Sequence, residues 1–135
     1  MRQNGDKPED SLDWRSARLR KHADYQRVYR ESRRYSSPSM SYFFRMRPPA
    51  QAGDQARFGL TAGRVLGNAV ERNRIRRKMR EAARLHLREL PPRVDVVMHP
   101  RKTVLEMEFA RLESEVSRIF SSISASIASG AGATK

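Results

Sequence analysis

The 135-residue sequence contains no cysteine. That absence excludes a disulfide framework, a thiol nucleophile and a cysteine-ligated metal site, and it suits a reducing compartment. No apolar run approaches the ~20 residues that cross a bilayer, and Met1–Trp14 lacks the basic-then-apolar order of a secretory signal. The expectation is a soluble, unexported, cytoplasmic protein with no membrane contact. Acidic residues are also scarce, with 15 Asp and Glu against 28 Lys and Arg, a formal charge of +13 and an isoelectric point near 11.3. Such an imbalance points to a polyanionic partner. Most of the basic residues are arginine, whose planar fork matches phosphate and whose flat face stacks, which favours nucleic acid over a membrane surface. A GC-rich coding sequence would also enrich arginine over lysine, but it would not create the net charge.

The length suits one domain. Residues 1–15 are polar and of mixed charge without apolar periodicity and are expected to be a disordered tail, as are the small residues 128–135; the domain is expected over 16–127. Between Arg15 and Arg47 stand ten basic residues and two acidic ones, Asp24 and Glu31. Within this half, His22–Glu31 reads as a short helix with Tyr25, Val28 and Tyr29 on one face. Tyr35–Ser37 suits a short strand, and Met40–Met46 alternates cleanly. Met40, Tyr42, Phe44 and Met46 would face a core, while Ser41, Phe43 and Arg45 would lie on an open face. Residues 48–55 read as a loop, Arg57–Ala62 as a further strand, and Gly63 with Gly67 as a tight turn whose backbone approaches something closely.

Asn68 and Glu71 then form a capping-box pair opening a helix that should reach about Leu90, before Pro91-Pro92. Val94–Met98 is a short apolar strand closed by Pro100, and Leu105 to Ile127 recurs at steps of three and four as an amphipathic helix carrying Glu106, Glu108, Glu113 and Glu115. The order α-β-β-β-α-β-α describes a single-domain α+β fold, a two-layer sandwich of helices on a small sheet.

The helix after Asn68 carries seven basic residues between Glu71 and Arg84: Arg72, Arg74, Arg76, Arg77, Lys78, Arg80 and Arg84. On a helical wheel Arg72, Arg76, Arg77, Arg80 and Arg84 share an arc of about 140° that includes Asn73, while Ile75, Met79, Ala82 and His86 occupy another. Like charges at i, i+4 destabilise an isolated helix by roughly 0.2–0.5 kcal/mol per pair. A polyanion offsets that repulsion through charge-assisted phosphate hydrogen bonds and counterion release. A solvated helix face is the plainer reading of most charge runs, but this face carries almost one sign only.

The run Leu66-Gly67-Asn68-Ala69-Val70-Glu71-Arg72-Asn73-Arg74-Ile75-Arg76-Arg77 resembles the signature of the bacterial ribonuclease P protein component. The resemblance extends from about Arg18 to Phe120. It includes Asp24-Tyr25-Gln26-Arg27-Val28-Tyr29 near the start, Gly59-Leu60 before the signature and Asp95–Met98 after it. It implies a ribosomal-protein-like fold with a left-handed β-α-β crossover. It also implies a non-catalytic protein subunit of an endoribonuclease whose RNA removes the 5′ leader of precursor tRNA using Mg2+, with no metal site in the protein and no obligate protein partner. By that resemblance Arg72, Asn73, Arg74, Arg76, Arg77 and Arg80 would contact the catalytic RNA, and Asn73 could also brace the turn before the helix. The leader would lie in a cleft between the first helix and the sheet, stacked on Tyr25, Tyr29 and Phe43 and followed by Arg45, Arg64 and Arg101. By pattern alone Tyr25 and Tyr29 serve equally well as core contacts, and the three arginines as plain surface charges.

Two departures from the family pattern stand out. Gly63-Arg64-Val65 replaces a Ser and two basic residues, and His99-Pro100 replaces an apolar-small pair. Rival readings are a ribosomal protein or RNA chaperone of the same general fold, a protein-only nuclease and a DNA-binding helix. The first would need no aromatic cleft. The second would need clustered carboxylates or a histidine pair, whereas His22, His86 and His99 are scattered. The third would need a helix-turn-helix partner before Asn68.

Overall fold

Alternation along Met40–Met46 builds the frame of the molecule. In the computed structural model, which describes residues 14–49 and 53–130, this segment is strand β2, flanked by β1 (Tyr35–Ser37), β3 (Arg57–Leu60) and β4 (Val94–Pro100). The sheet order is β1-β2-β4-β3. β2 pairs antiparallel with β1 and β4, with Phe43 opposite Val97 and Ser41 opposite His99, and β3 pairs parallel with β4, with Gly59 opposite Val97. The helices are α1 (His22–Glu31), α2 (Ala69–His86) and α3 (Phe109–Ala128). The α-β-β-β-α-β-α order therefore stands, and the parallel β3–β4 pair is joined through α2, as a parallel pair requires.

The pairing divides the sheet's side chains. Met40, Tyr42, Phe44, Phe58, Val94, Val96 and Met98 enter the main core, where Ile75 and Met79 of α2 and Leu112, Val116, Ile119, Phe120 and Ile123 of α3 cover them. The opposite face is not left open. Val28 of α1 packs there on Val97 and Leu19, with Tyr25, Tyr29 and Phe43 around them. This is the first correction to the alternation reading. Ser41 and Arg45 are buried, at 2% and 5% exposure, because α1 and the chain leading into β1 lie over their side of the sheet.

Several boundaries moved for identifiable reasons. β3 ends at Leu60, two residues early, although the Thr61 amide still bonds the Met98 carbonyl at 3.1 Å. β4 runs on past Met98 to Pro100, opposite Met40, where a proline with no amide to donate ends the strand. α2 stops at His86 and tightens into a 3-10 turn, Leu87–Glu89, ahead of the two prolines. α3 starts at Phe109 rather than Leu105. Residues Lys102–Glu106 form a separate short turn, and the Lys78 ammonium bonds the carbonyls of Val104, Leu105 and Met107, so those acceptors end the turn instead of feeding a longer helix. Of the expected tails, residues 1–13 and 131–135 lie outside the described residues, as do 50–52 of the expected loop. Trp14 is described, and its ring stacks on Phe58 at 6.1 Å.

Candidate nucleic-acid interface

The basic helix is anchored by local chemistry. The Asn68 side chain accepts the Glu71 amide at 2.9 Å, and the Glu71 carboxylate accepts the Asn68 amide at 3.0 Å, a complete capping box. Gly67 lies immediately before it at φ +125°, and a Cβ there would sit 2.1 Å from Glu71 Oε1. The expected close approach therefore belongs to Gly67. Gly63 has φ −84° with open space around it, so the sequence reading of paired glycines was half right.

α2 buries Ile75, Met79, Ala82 and Ala83. Ala83 takes the inward position expected of His86, which instead stands half-buried between Glu89 and Glu113. The opposite side presents the arginine row. Asn73, Arg74, Arg77 and Arg84 are exposed, while Arg72, Arg76 and Arg80 are half-buried where the row meets the body. Lys78 is turned away into the carbonyls described above, and burial lowers its pKa, so it does not belong to the row. Arg84 is tied to Glu81 at 2.6 Å. Asn73 accepts from Arg76 Nη1 at 2.9 Å and makes no hydrogen bond to the turn among the described residues. The bracing is done by Arg76, whose Nη2 reaches the Ala62 carbonyl at 3.3 Å. Arg72 Nε is buried with no hydrogen-bond partner among the described residues.

The second group of expected residues is only partly gathered. Tyr29 and Phe43 meet edge to face at 5.0 Å. His99 completes this cluster, with its ring centroid 5.4 Å from that of Phe43 and its Nε2 2.9 Å from the Tyr29 hydroxyl. Burial, and after it the charge of Arg34, lower the His99 pKa, which favours a neutral ring beside Tyr29. Tyr25 sits further along. Its hydroxyl accepts the Leu60 amide at 3.1 Å, and its ring covers Gly59, where a Cβ would come within 2.9 Å of the ring. Arg45 is not on an open face, for its Nε donates to Glu31 at 2.9 Å in a buried position. Arg101 is exposed but held by the turn between β1 and β2, donating to the carbonyls of Ser37 and Pro38. Arg64 is exposed in the 3-10 turn before Gly67. Next to it Val65 is 89% exposed.

Sequence reading missed His99 as a cluster member. Alternation from Asp95 through Val97 to His99 places these three on one face, but only the register with β2 shows that this is the face of Phe43. It missed a buried charge network as well. Asp95, fully buried, accepts from Arg47 and, through both oxygens, from Arg57 at 2.9 Å. Arg57 also stands 3.6 Å from Asp24 of α1. Among the described residues no group of three or more His, Asp or Glu side chains could hold a metal ion. No described helix is long and apolar enough to cross a membrane.

A small α+β body with one helix bearing an outward arginine row is the mark of a nucleic-acid-binding protein. The ribonuclease P family model matches residues 14–124. The ribonuclease P protein component of Desulfovibrio desulfuricans is 36% identical over 104 residues, covering 76% of this chain and 78% of the relative, and that of Finegoldia magna is 34% identical over 100 residues, covering 74% and 84%. The chain belongs to the ribonuclease P protein family. Solved ribonuclease P proteins from Staphylococcus aureus (TM-score 0.65, covering 76% of this chain and 91% of that one) and Thermotoga maritima (0.66, covering 76% and 94%) share its fold at 24% identity.

Proposed function

We propose that this chain acts as the protein subunit of the ribonuclease P ribonucleoprotein in the cytoplasm, assisting endonucleolytic removal of the 5′ leader from precursor tRNA. The observation that carries this reading is the arginine row of α2, fixed at its start by the capping box and left facing outward by a helix whose other side is fully buried. In this reading Arg72, Asn73, Arg74, Arg76, Arg77 and Arg80 contact the catalytic RNA. RNA helices are recognised mostly through shape and phosphates, which suits guanidinium groups set along a rigid helix.

Tyr29 and Phe43 form the aromatic part of the leader site, where stacking is worth roughly 1–3 kcal/mol per base and tolerates any sequence. Tyr25 serves it as a wall, since its hydroxyl is committed to the β3 backbone. Arg64 is the arginine best placed to follow the leader. Arg101 could do so only by leaving the β1–β2 turn, and Arg45 only by leaving Glu31. The chemistry is the RNA's, and Mg2+ is held there rather than by the protein. The partners are the catalytic RNA and precursor tRNA, with no membrane and no obligate protein partner.

The test is reconstitution. The protein alone should leave precursor tRNA intact, and adding it to a bacterial ribonuclease P RNA should restore cleavage at magnesium concentrations where the RNA alone is slow. Cleavage by rigorously RNA-free protein would overturn the assignment.

A further inference from the structure

The only tryptophan in the chain does not lie in the aromatic cluster on the α1 side of the sheet. Trp14 stacks on Phe58 and leans towards α2, where it lines an open hollow of about 410 Å³ together with Asn73, Arg76, Arg77, Arg80, Glu81 and Arg84. That volume lies within the range of small-ligand sites, roughly 300–1,000 Å³. Trp14 is half-buried, so one part of its ring is spent on the core and the rest faces the arginines.

The arginines of the hollow are not equally free. Arg84 is committed to Glu81, and Arg76 to Asn73 and the Ala62 carbonyl. Arg77 and Arg80 have no hydrogen bond or ion pair among the described residues. Arg80 is moreover crowded. Burial first, and then the like charges of Arg18 and Arg76, lower its pKa, opposed only weakly by Tyr25. Arg18 is carried there by the residues after Trp14, which bridge to Phe58 along the edge of β3. The charges of Arg18, Arg76 and Arg80, from two separate parts of the chain, therefore oppose one another beside a ring whose neighbours are mostly cationic, and the carboxylate that lines the hollow, Glu81, is already tied to Arg84. An anion alone would answer the charge; an anion joined to a flat aromatic group would also answer the ring.

We propose that this hollow is a nucleotide site, in which an unpaired base of the partner RNA stacks on Trp14 while its phosphate is held by Arg77 and Arg80. The proposal rests on the RNA-binding reading of α2 and sharpens it. The α2 row does not only follow a backbone; at its junction with the N-terminal segment it grips one splayed nucleotide. A splayed base is what RNA offers at loops and bulges, where stacking on aromatic side chains is the usual mode of recognition. The Tyr29–Phe43 pair of the leader cluster packs on the other face of the sheet from Trp14, while Tyr25 of that cluster stands near enough to Arg80 to act on its charge.

Because Trp14 is the sole tryptophan, its emission reports the site directly in the full chain. Three probes are titrated: bacterial ribonuclease P RNA, a short oligouridylate, and inorganic polyphosphate as a polyanion without bases. Binding is followed in parallel by anisotropy of labelled RNA. Quenching of Trp14 by both RNAs and not by polyphosphate is the expected result. Trp14→Leu, which keeps an apolar contact for Phe58, should weaken oligouridylate binding about fivefold or more, whereas Trp14→Phe should restore most of it. Replacing Arg77 and Arg80 by Gln should abolish the quenching of wild-type Trp14 at equal RNA concentration. Were Trp14→Leu to lose its fold, the emission of the unmutated chain would still decide the matter. RNA that binds without changing that emission overturns the proposal and leaves the function standing. Equal quenching by polyphosphate reduces the site to an anion site and also overturns it. No binding of ribonuclease P RNA at all overturns both.

Discussion

At the scale of single residues, two positions carry more than their composition suggests. Gly67 is required by its neighbour. Its backbone lies at φ +125°, and the Glu71 carboxylate that closes the capping box occupies the space a side chain would need. Gly67→Ala should therefore cost about 1–3 kcal/mol in chemical denaturation, through strain and loss of the cap, whereas Gly63→Ala should fall within about 0.5 kcal/mol of the parent. Equal effects at the two sites would contradict this. Asp95 is the second position. It lies fully buried between Arg47, itself 1% exposed, and Arg57. Arg47 also donates to the carbonyls of Gly53 and Gln55, so its charge is satisfied only as part of a network. Asp95→Asn removes the charge that Arg47 and Arg57 share in a dry site, leaving Arg57 only its longer pair with Asp24, and should cost about 3–5 kcal/mol. Arg47→Met should cost less, because Asp95 keeps both bonds from Arg57. Thermal or urea unfolding of the two variants distinguishes these outcomes.

Elements are joined here by small polar clasps rather than by core contacts alone. Glu115, buried on α3, accepts the Ser39 amide at 2.9 Å and the Ser37 hydroxyl, which locks the β1–β2 turn onto the helix. His86 does the same for the end of α2, between Glu89 and Glu113 of α3. Burial works against its charge, but the hydrogen bonds it donates to the two carboxylates outweigh burial and raise its pKa above 6.5. A group whose pKa is higher in the folded state stabilises fully below its unfolded value and loses that contribution as pH rises through the folded value. The clasp should thus be strongest below about pH 6.5 and weaken above it. His86→Gln should flatten the pH dependence of stability in that window, read from melting temperatures on either side of it. An unchanged profile would show that the ring carries no such charge.

Across the whole molecule, the charge of +13 is divided by folding into two populations. Arg45, Arg47, Arg57 and Lys78 are spent inside the structure on carboxylates and carbonyls. The α2 row, by contrast, faces outward with few acidic neighbours and, with exposed residues such as Arg64, remains available to a polyanion. Replacing Arg72, Arg76 and Arg80 together by Gln should weaken RNA binding and reduce the slope of log K against log salt by about 2 to 3, since each lost phosphate contact removes roughly 0.7–0.9 of slope. Replacing Arg111 and Arg118, the two arginines of α3, by Gln should leave the slope nearly unchanged. Filter-binding or anisotropy titrations over a range of salt make the comparison.

The chain's local rules were legible in its order of residues. Period 2 from Met40 to Met46, period 3.6 on either side of the prolines, and an Asn and a Glu at capping distance each express an interaction between near neighbours, so α1, β1, β2 and the start of α2 stand where the sequence puts them. The arginine arc was legible for the same reason. What faces what was not. That α1 covers the side of β2 carrying Arg45, that His99 joins Tyr29 and Phe43, and that Lys78 and Arg47 serve carbonyls and Asp95 rather than solvent all depend on sheet register and helix placement. Those are contacts between residues tens of positions apart. Sequence periodicity fixes only the two sides of each element, and folding alone decides which side meets another element and which meets RNA.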